Sequence, residues 1–165
     1  MLIFMIGMPG SGKSTLGKQL ADRLEWGFLD LDELIEQTEN KSITQIFSEN
    51  GEEYFRKLEK EKLRAILDVE GDIVISCGGG TPCFFDNMRK MNESGITVFL
   101  DVSTDTLSKR VENRQDRPLL TDQPQEKLEQ LYKERLNYYQ QAELRLSEKA
   151  ITIDRLLQLL RKYLT

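Results

Sequence analysis

The chain of 165 residues contains no histidine. That removes every mechanism built on an imidazole base, Ser-His-Asp and Cys-His nucleophiles among them, and with it His-ligated zinc and iron. The 2 cysteines, Cys77 and Cys83, are too few for a disulfide framework or a Cys-rich metal site. Long apolar runs are missing as well: none approaches the ~20 residues needed to cross a bilayer. The opening run Leu2-Ile3-Phe4-Met5-Ile6 is too short for an export signal and has no basic residue before it. A reduced, cytoplasmic protein is therefore expected. Its chemistry is left to carboxylates, amines, guanidinium groups, hydroxyls, backbone dipoles or a hard cation.

What is present is a charged chain with an adequate core. It has 23 Lys+Arg against 28 Asp+Glu, for a net charge of -5, and a hydrophobic fraction of 39%. The length suits one domain of the usual ~100–200 residues. Mild acidity argues against a general nucleic-acid surface, so neither nucleic acid nor membrane is expected as a partner.

Apolar runs rich in β-formers at 1–6, 72–76 and 96–100 predict buried strands, and 27–32 reads as a short strand ending in two carboxylates. Helical spacing begins at Lys13 with Leu16, Leu20 and Leu24. Helices are also predicted at 33–37, from the capping box Ser42–Gln45 through Phe47, and over 52–67, 84–92, 103–113, 125–146 and 156–164, with a last strand at 150–153. Alternating strands and helices argue for an α/β fold, a parallel sheet with helices on both faces. Ligands in such sheets bind beyond the carboxyl ends of the strands, where three stretches sit: 7–14, 30–32 and 78–80.

Gly7-Met8-Pro9-Gly10-Ser11-Gly12-Lys13-Ser14 fits G-x-x-x-x-G-K-[ST] without a mismatch. The glycines let backbone N–H groups curl toward phosphate oxygens at the positive end of the following helix. Lys13 would neutralise the β- and γ-phosphates of ATP, and the Ser14 hydroxyl would ligate Mg²⁺. Chance would supply such a match in roughly one chain of this length in a few hundred, and this one falls between a buried strand and a helix, as the mechanism requires. Asp30 and Asp32, two apart on a strand, would point the same way. Alone, Asp32 reads as the N-cap of a helix starting at Glu33. Beside a phosphate loop, the pair reads as one carboxylate for Mg²⁺ and another to orient an attacking hydroxyl.

The run Gly78-Gly79-Gly80 is either a flexible turn or a place where backbone closely approaches a ligand. Lys109, Arg110, Arg114 and Arg117 form either a solvated basic face or a mobile lid carrying an Arg to the transferring phosphoryl group. Cys77 reads as a small buried residue, since it has no His partner.

Together these residues resemble the shikimate kinase family over essentially the whole chain. The quoted matches are the P-loop Gly10 to Thr15, Asp30-Leu31-Asp32, the helix Phe55-Arg56-Lys57-Leu58-Glu59, the triple glycine, the lid motif Arg117-Pro118-Leu119-Leu120, and Arg135 followed by Tyr138 and Tyr139. The resemblance implies transfer of the γ-phosphate of ATP to the 3-hydroxyl of shikimate by a monomer. It also implies a three-layer α/β/α kinase domain with a five-stranded parallel sheet in the order 2-3-1-4-5. A P-loop at 7–14, a substrate-binding helical region at about 31–60 and a lid at about 111–124 go with it.

Carried over, Gly10, Ser11, Gly12, Lys13, Ser14 and Thr15 would bind ATP, with Arg110 beside adenine. Lys13 and Arg117 would stabilise the phosphoryl group. Ser14 with Asp30 would hold Mg²⁺, and Asp32 would bind substrate hydroxyls and act as base. Arg56, Arg135 and the backbone of Gly78, Gly79 and Gly80 would grip the substrate, with Phe47 and Phe55 lining its ring. No adenine contact is assigned near Asp154 and Arg155, where the chain passes straight into helix. The rivals are a gluconate-type kinase, an adenylate-type kinase, whose loop usually reads Gly-Lys-Gly-Thr, and a regulatory nucleotide-binding module without Asp32 chemistry.

Overall fold

The apolar run at the N-terminus becomes β1 (Leu2–Ile6), buried at every position because both its faces meet core. Leu2, Phe4 and Ile6 point into one hydrophobic cluster, and Ile3 and Met5 into the other. The period of two along a strand thus divides the molecule into two cores, one on each side of the sheet. The computed structural model describes residues 1–112 and 124–165; Arg114 and Arg117, central to the expected lid at 111–124, lie outside the described residues.

Around β1 stand β2 (Gly27–Asp30), β3 (Ile73–Ser76), β4 (Ile96–Asp101) and β5 (Leu144–Ser147), in the order β2-β3-β1-β4-β5. Every pairing is parallel, with Ile3 opposite Val74 on one side and Ile96 on the other. The expected strand order is therefore present. The chain leaves β1 for β2 on one side and later crosses from β3 to β4 on the other, and the carboxyl end of β1 opens at that switch point.

Helices α1 (Lys13–Leu24) and α7 (Ile153–Leu160) cover one face through Leu16, Leu20, Leu156 and Leu160. The other face carries α2 (Leu31–Glu39), α3 (Ile43–Leu67), α4 (Asn87–Ser94), α5 (Thr104–Glu112) and α6 (Pro124–Tyr139). Leu31, Ile46, Met88, Leu107 and Leu128 are their core anchors. The two helices predicted around Gly51 run as one element with a break there, where Gly51 takes φ 83° and ψ 169°.

Several boundaries differ from expectation. The strand predicted over 27–32 stops at Asp30, whose carboxylate accepts from the Glu33 N–H at 3.1 Å and so caps α2. Asp32 therefore lies in the first helical turn, not on a strand beside Asp30. The helix predicted at 84–92 is shifted to α4, behind a 3₁₀ turn at Thr81–Cys83. The long helix predicted over 125–146 ends at Tyr139, and the last strand is 144–147, not 150–153. Leu144 and Leu146 are buried between exposed Arg145 and Ser147, which is strand alternation, and they stand opposite Val98 and Leu100. Thr152 instead caps α7 by accepting from the Arg155 N–H at 3.2 Å.

Candidate active site

The turn from β1 into α1 carries the glycine-rich loop. Gly10 and Gly12 sit at φ 83° and 93°, and Gly12 is the N-cap of α1 without any side-chain hydrogen bond to the helix. The first N–H groups of α1 thus have no side-chain cap and face an anion-binding position at the positive end of the helix dipole. Lys13 is buried and folds back over the loop, its Nζ donating to the carbonyls of Gly7 and Met8, both at 2.9 Å. Arg110, on α5, donates from Nη1 to the Gly10 carbonyl at 2.8 Å, a link between residues 100 positions apart.

A cleft of about 700 Å³ opens over this loop. Gly10, Ser11, Gly12, Lys13, Ser14 and Thr15 form its floor, Asp30, Asp32, Gly78 and Gly79 its far wall, and Arg110 and Ile151 its near rim. Ser14 Oγ donates to Asp30 Oδ2 at 2.5 Å and lies 2.9 Å from Ser76 Oγ. Asp30 thus divides its oxygens between a helix cap and the Ser14 hydroxyl. Paired hard oxygens at a phosphate loop fit a divalent cation that takes its other ligands from phosphate and water. No group of three or more His, Cys, Asp or Glu able to hold a metal gathers among the described residues.

Behind the far wall, the triple glycine is a point of convergence. A methyl group on Gly78 would stand 2.9 Å from Asp32 Oδ1, and one on Gly79 would stand 2.9 Å from Arg135 Nη1 and 2.7 Å from Pro9 Cδ. On Gly80 it would stand 2.5 Å from both terminal nitrogens of Arg56. Close approach, not turn flexibility, accounts for these glycines. Asp32, Arg56 and Arg135 come from α2, α3 and α6, and each approaches one of the three glycines.

Arg56 and Arg135 are buried. Arg56 donates from Nη1 to Glu59 at 3.1 Å and from Nε and Nη2 to Glu52 at 3.3 and 3.2 Å. Nη1 of Arg135 is buried with no hydrogen-bond partner among the described residues, and leaving such a cationic donor unsatisfied is costly. Phe47 and Phe55 pack with ring centroids 4.9 Å apart, and the Phe55 ring lies 5.2 Å from Arg56 Cζ. None of Phe47, Phe55, Arg56, Gly80 and Arg135 lines the cleft itself; Phe55 belongs to the core, Phe47 packs against it, and the two arginines lie behind the glycine wall.

Four contributors carried no assigned role in the sequence reading. Glu59, fully buried, accepts from Arg56 and from Thr81 Oγ1 at 2.7 Å; burial pushes its carboxyl above the usual glutamate range, against the pull of Arg56 and Thr81. Its signal was present, an acid three residues after Arg56 on a helix. Tyr139 donates from its hydroxyl to the Gly79 carbonyl at 2.6 Å. Ser76 and Ile151 had no signal, since strand ends and turns reveal their neighbours only after folding. Ile151, expected within the last strand, instead lies between β5 and α7 at the cleft rim, because that strand sits earlier in the chain than expected. Cys77 is buried, and burial pushes its thiol up, away from any nucleophilic role.

Among the described residues, no helix is long and apolar enough to cross a membrane. A family model described as shikimate kinase matches residues 9–164. A shikimate kinase from Sulfurihydrogenibium sp. (strain YO3AOP1) is 48% identical over 145 residues, covering 88% of this chain and 86% of that one. The crystal structure of shikimate kinase from Bacteroides thetaiotaomicron superposes with a TM-score of 0.88 at 38% identity, over 97% of this chain and 98% of that one. Shikimate kinase from Acinetobacter baumannii in complex with shikimate gives a TM-score of 0.90 at 30% identity, over 99% and 95%. A phosphate loop whose cleft is walled by glycines with two buried arginines behind them, and a match of this extent to one family, lead to the same place: the chain belongs to the shikimate kinase family.

Proposed function

We propose that this cleft transfers the γ-phosphoryl group of ATP to the 3-hydroxyl of shikimate, giving shikimate 3-phosphate and ADP on the route to aromatic amino acids. The observation that carries the choice of acceptor is the buried Nη1 of Arg135, which has no hydrogen-bond partner among the described residues, beside the glycine turn that Arg56 and Asp32 also approach. A carboxylate on a small polyol satisfies both arginines, and paired guanidinium groups bind carboxylates with strong, directional hydrogen bonds.

In this reading the loop 7–14 and the first turn of α1 receive the phosphates, and Lys13 exchanges its loop carbonyls for β- and γ-phosphate oxygens. Ser14 and Asp30 would hold Mg²⁺, directly or through water, and when bound Mg²⁺ neutralises charge between the phosphates. Asp32 accepts a hydrogen bond from the attacking hydroxyl and aims it. A carboxylate is far weaker as a base than an alkoxide, so it takes the proton late, as bond formation to phosphorus acidifies the hydroxyl. Arg56, Arg135 and the Gly79 backbone fix the substrate carboxylate, and Phe47 and Phe55 support that wall from below. Arg110 and Ile151 flank the adenine side. Arg117 is assigned to the phosphoryl group from the family motif alone. The chain acts as one kinase domain, a cytoplasmic monomer.

The test is ADP release in a coupled assay with shikimate, gluconate, AMP or no acceptor. Turnover is expected with shikimate alone; turnover with gluconate or AMP but none with millimolar shikimate overturns the reading. Asp32→Asn is expected to lower kcat by about 10²–10⁴-fold with MgATP affinity nearly unchanged, as read by calorimetry. Loss of nucleotide affinity instead would remove Asp32 from the acceptor side.

A further inference from the structure

Arg56 is held on more sides than a carboxylate grip requires. Around its edge, Nε and Nη2 are tied to Glu52 and Nη1 to Glu59. Its flat surface is covered as well. A methyl group on Gly80 would lie 2.5 Å from Nη1 and Nη2 and 2.6 Å from Cζ, near-equal distances that place Gly80 above the guanidinium and not off its edge. The Phe84 ring also lies against it, with Cζ over the ring and 4.2 Å from its centroid, closer than the Phe55 ring at 5.2 Å.

The local chain explains how the ring reaches it. Phe84 closes the 3₁₀ turn Thr81–Cys83 in extended conformation, so the segment that begins with the glycines also delivers the ring. Phe85 next to it takes φ 53° and stands 52% exposed. A bulky residue at positive φ is strained, and the turn accepts that strain while one phenylalanine faces Arg56 and its neighbour faces outward.

We propose that Phe84 is a positioning residue for substrate capture: its ring fixes the plane in which Arg56 presents N–H groups to the substrate carboxylate and keeps water from that face. The proposal rests on the assignment of Arg56 to the carboxylate. Guanidinium groups stack on aromatic faces, most strongly where water is excluded. A guanidinium already oriented loses less freedom when the anion binds, which shows as affinity for the acceptor and not as faster chemistry.

The experiment is a double-mutant cycle on the full chain, with kcat and KM for shikimate and ATP measured for Phe84→Leu, Arg56→Ala and the pair. Phe84→Leu is expected to raise the shikimate KM about tenfold, with kcat and the ATP KM changed by less than about threefold on the same basis. Phe84→Tyr, which keeps the aromatic face, restores the shikimate KM. The double variant is expected to be no worse than Arg56→Ala, because Phe84 acts through that side chain. Phe84→Met, whose unbranched side chain adapts to the gap without an aromatic face, gives the same reading should the Leu variant fold poorly. An unchanged shikimate KM in Phe84→Leu, equal losses toward ATP, or additive effects in the cycle overturn the proposal while leaving Arg56 in place. An unchanged shikimate KM in Arg56→Ala overturns the carboxylate assignment itself.

Discussion

The two ends of the cleft are made in opposite ways. The phosphate end is eight consecutive residues, Gly7 to Ser14, whose working groups are mostly backbone N–H donors at a helix start without a side-chain cap. The end we assign to the acceptor has Asp32, Gly78 and Gly79 in the cleft wall and Arg56, Glu59, Gly80, Arg135 and Tyr139 behind it, drawn from α2, α3, the turn after β3, and α6. Its working groups are buried side chains that hold one another: Glu59 on Arg56, and the Tyr139 hydroxyl on Gly79, against which Arg135 lies. Phosphate is recognised alike by many proteins, and a short backbone loop is sufficient for it. One particular small acid requires groups set at fixed separations, and only packed elements can hold such separations.

This contrast breaks most sharply at its charged residues. Lys13→Met should lower kcat by roughly 10²–10³-fold, as loss of a donor to developing charge does, and steady-state assays at saturating shikimate read it. Arg56→Ala should instead raise the shikimate KM by about 10–100-fold, the range for a hydrogen bond to a charged group, and change the ATP KM little. Equal losses toward both substrates would mean that the two ends are not separate.

A crossed pair of glycine substitutions sharpens the comparison with smaller effects. Gly12→Ala meets nothing within 4 Å, so its cost is the backbone conformation at φ 93°, about tenfold in affinity from ~1–2 kcal/mol. That loss should fall on ATP. Gly80→Ala has an ordinary φ, but its methyl group would press on a guanidinium pinned by Glu59 and Phe84. Its loss, also about tenfold for a displaced charge-assisted contact, should fall on shikimate. Titration calorimetry with each ligand separates the two.

The smallest effect concerns Glu59. Burial raises its carboxyl above the usual 4.5, so between that value and the raised one the folded chain keeps a proton that the unfolded chain has released. Stability therefore falls as pH rises through that window. Glu59→Gln cannot titrate, and denaturant melts from pH 4.5 upward should show the native chain losing stability relative to the variant, by a slope of at most about one proton. A constant difference would contradict the shift.

Much of the fold was legible because its signals are short-ranged. The run at β1 announces a strand buried on both faces, and its neighbours β3 and β4 read the same way. At the C-terminal end the local signal is ambiguous: Leu144 and Leu146 fit a continuing helix as well as a strand two residues in period. Pairing with β4 decides between them, and pairing cannot be seen in a window of neighbours. Asp30 and Asp32 look like a strand pair in sequence for a similar reason. The cap that Asp30 forms on α2 moved Asp32 into the helix, and Asp32 still reaches the cleft through its approach to Gly78.

The phosphate loop is a local object. Its glycines, lysine and serine act through their own backbone and the helix they start, so eight letters in order were enough to identify it. The absence of histidine also spoke directly, since chemistry that lacks its group cannot be restored by folding. The acceptor pocket is different in kind. Arg56 and Arg135 are two charged helix residues among many until α3 and α6 close on Gly78–Gly80, and the ring of Phe84 is one aromatic among several until the turn after β3 lays it on Arg56. Burial is what sets those side chains apart: it removes competing water and leaves Nη1 of Arg135 without a hydrogen-bond partner among the described residues. Burial belongs to the packed chain and not to any stretch of it.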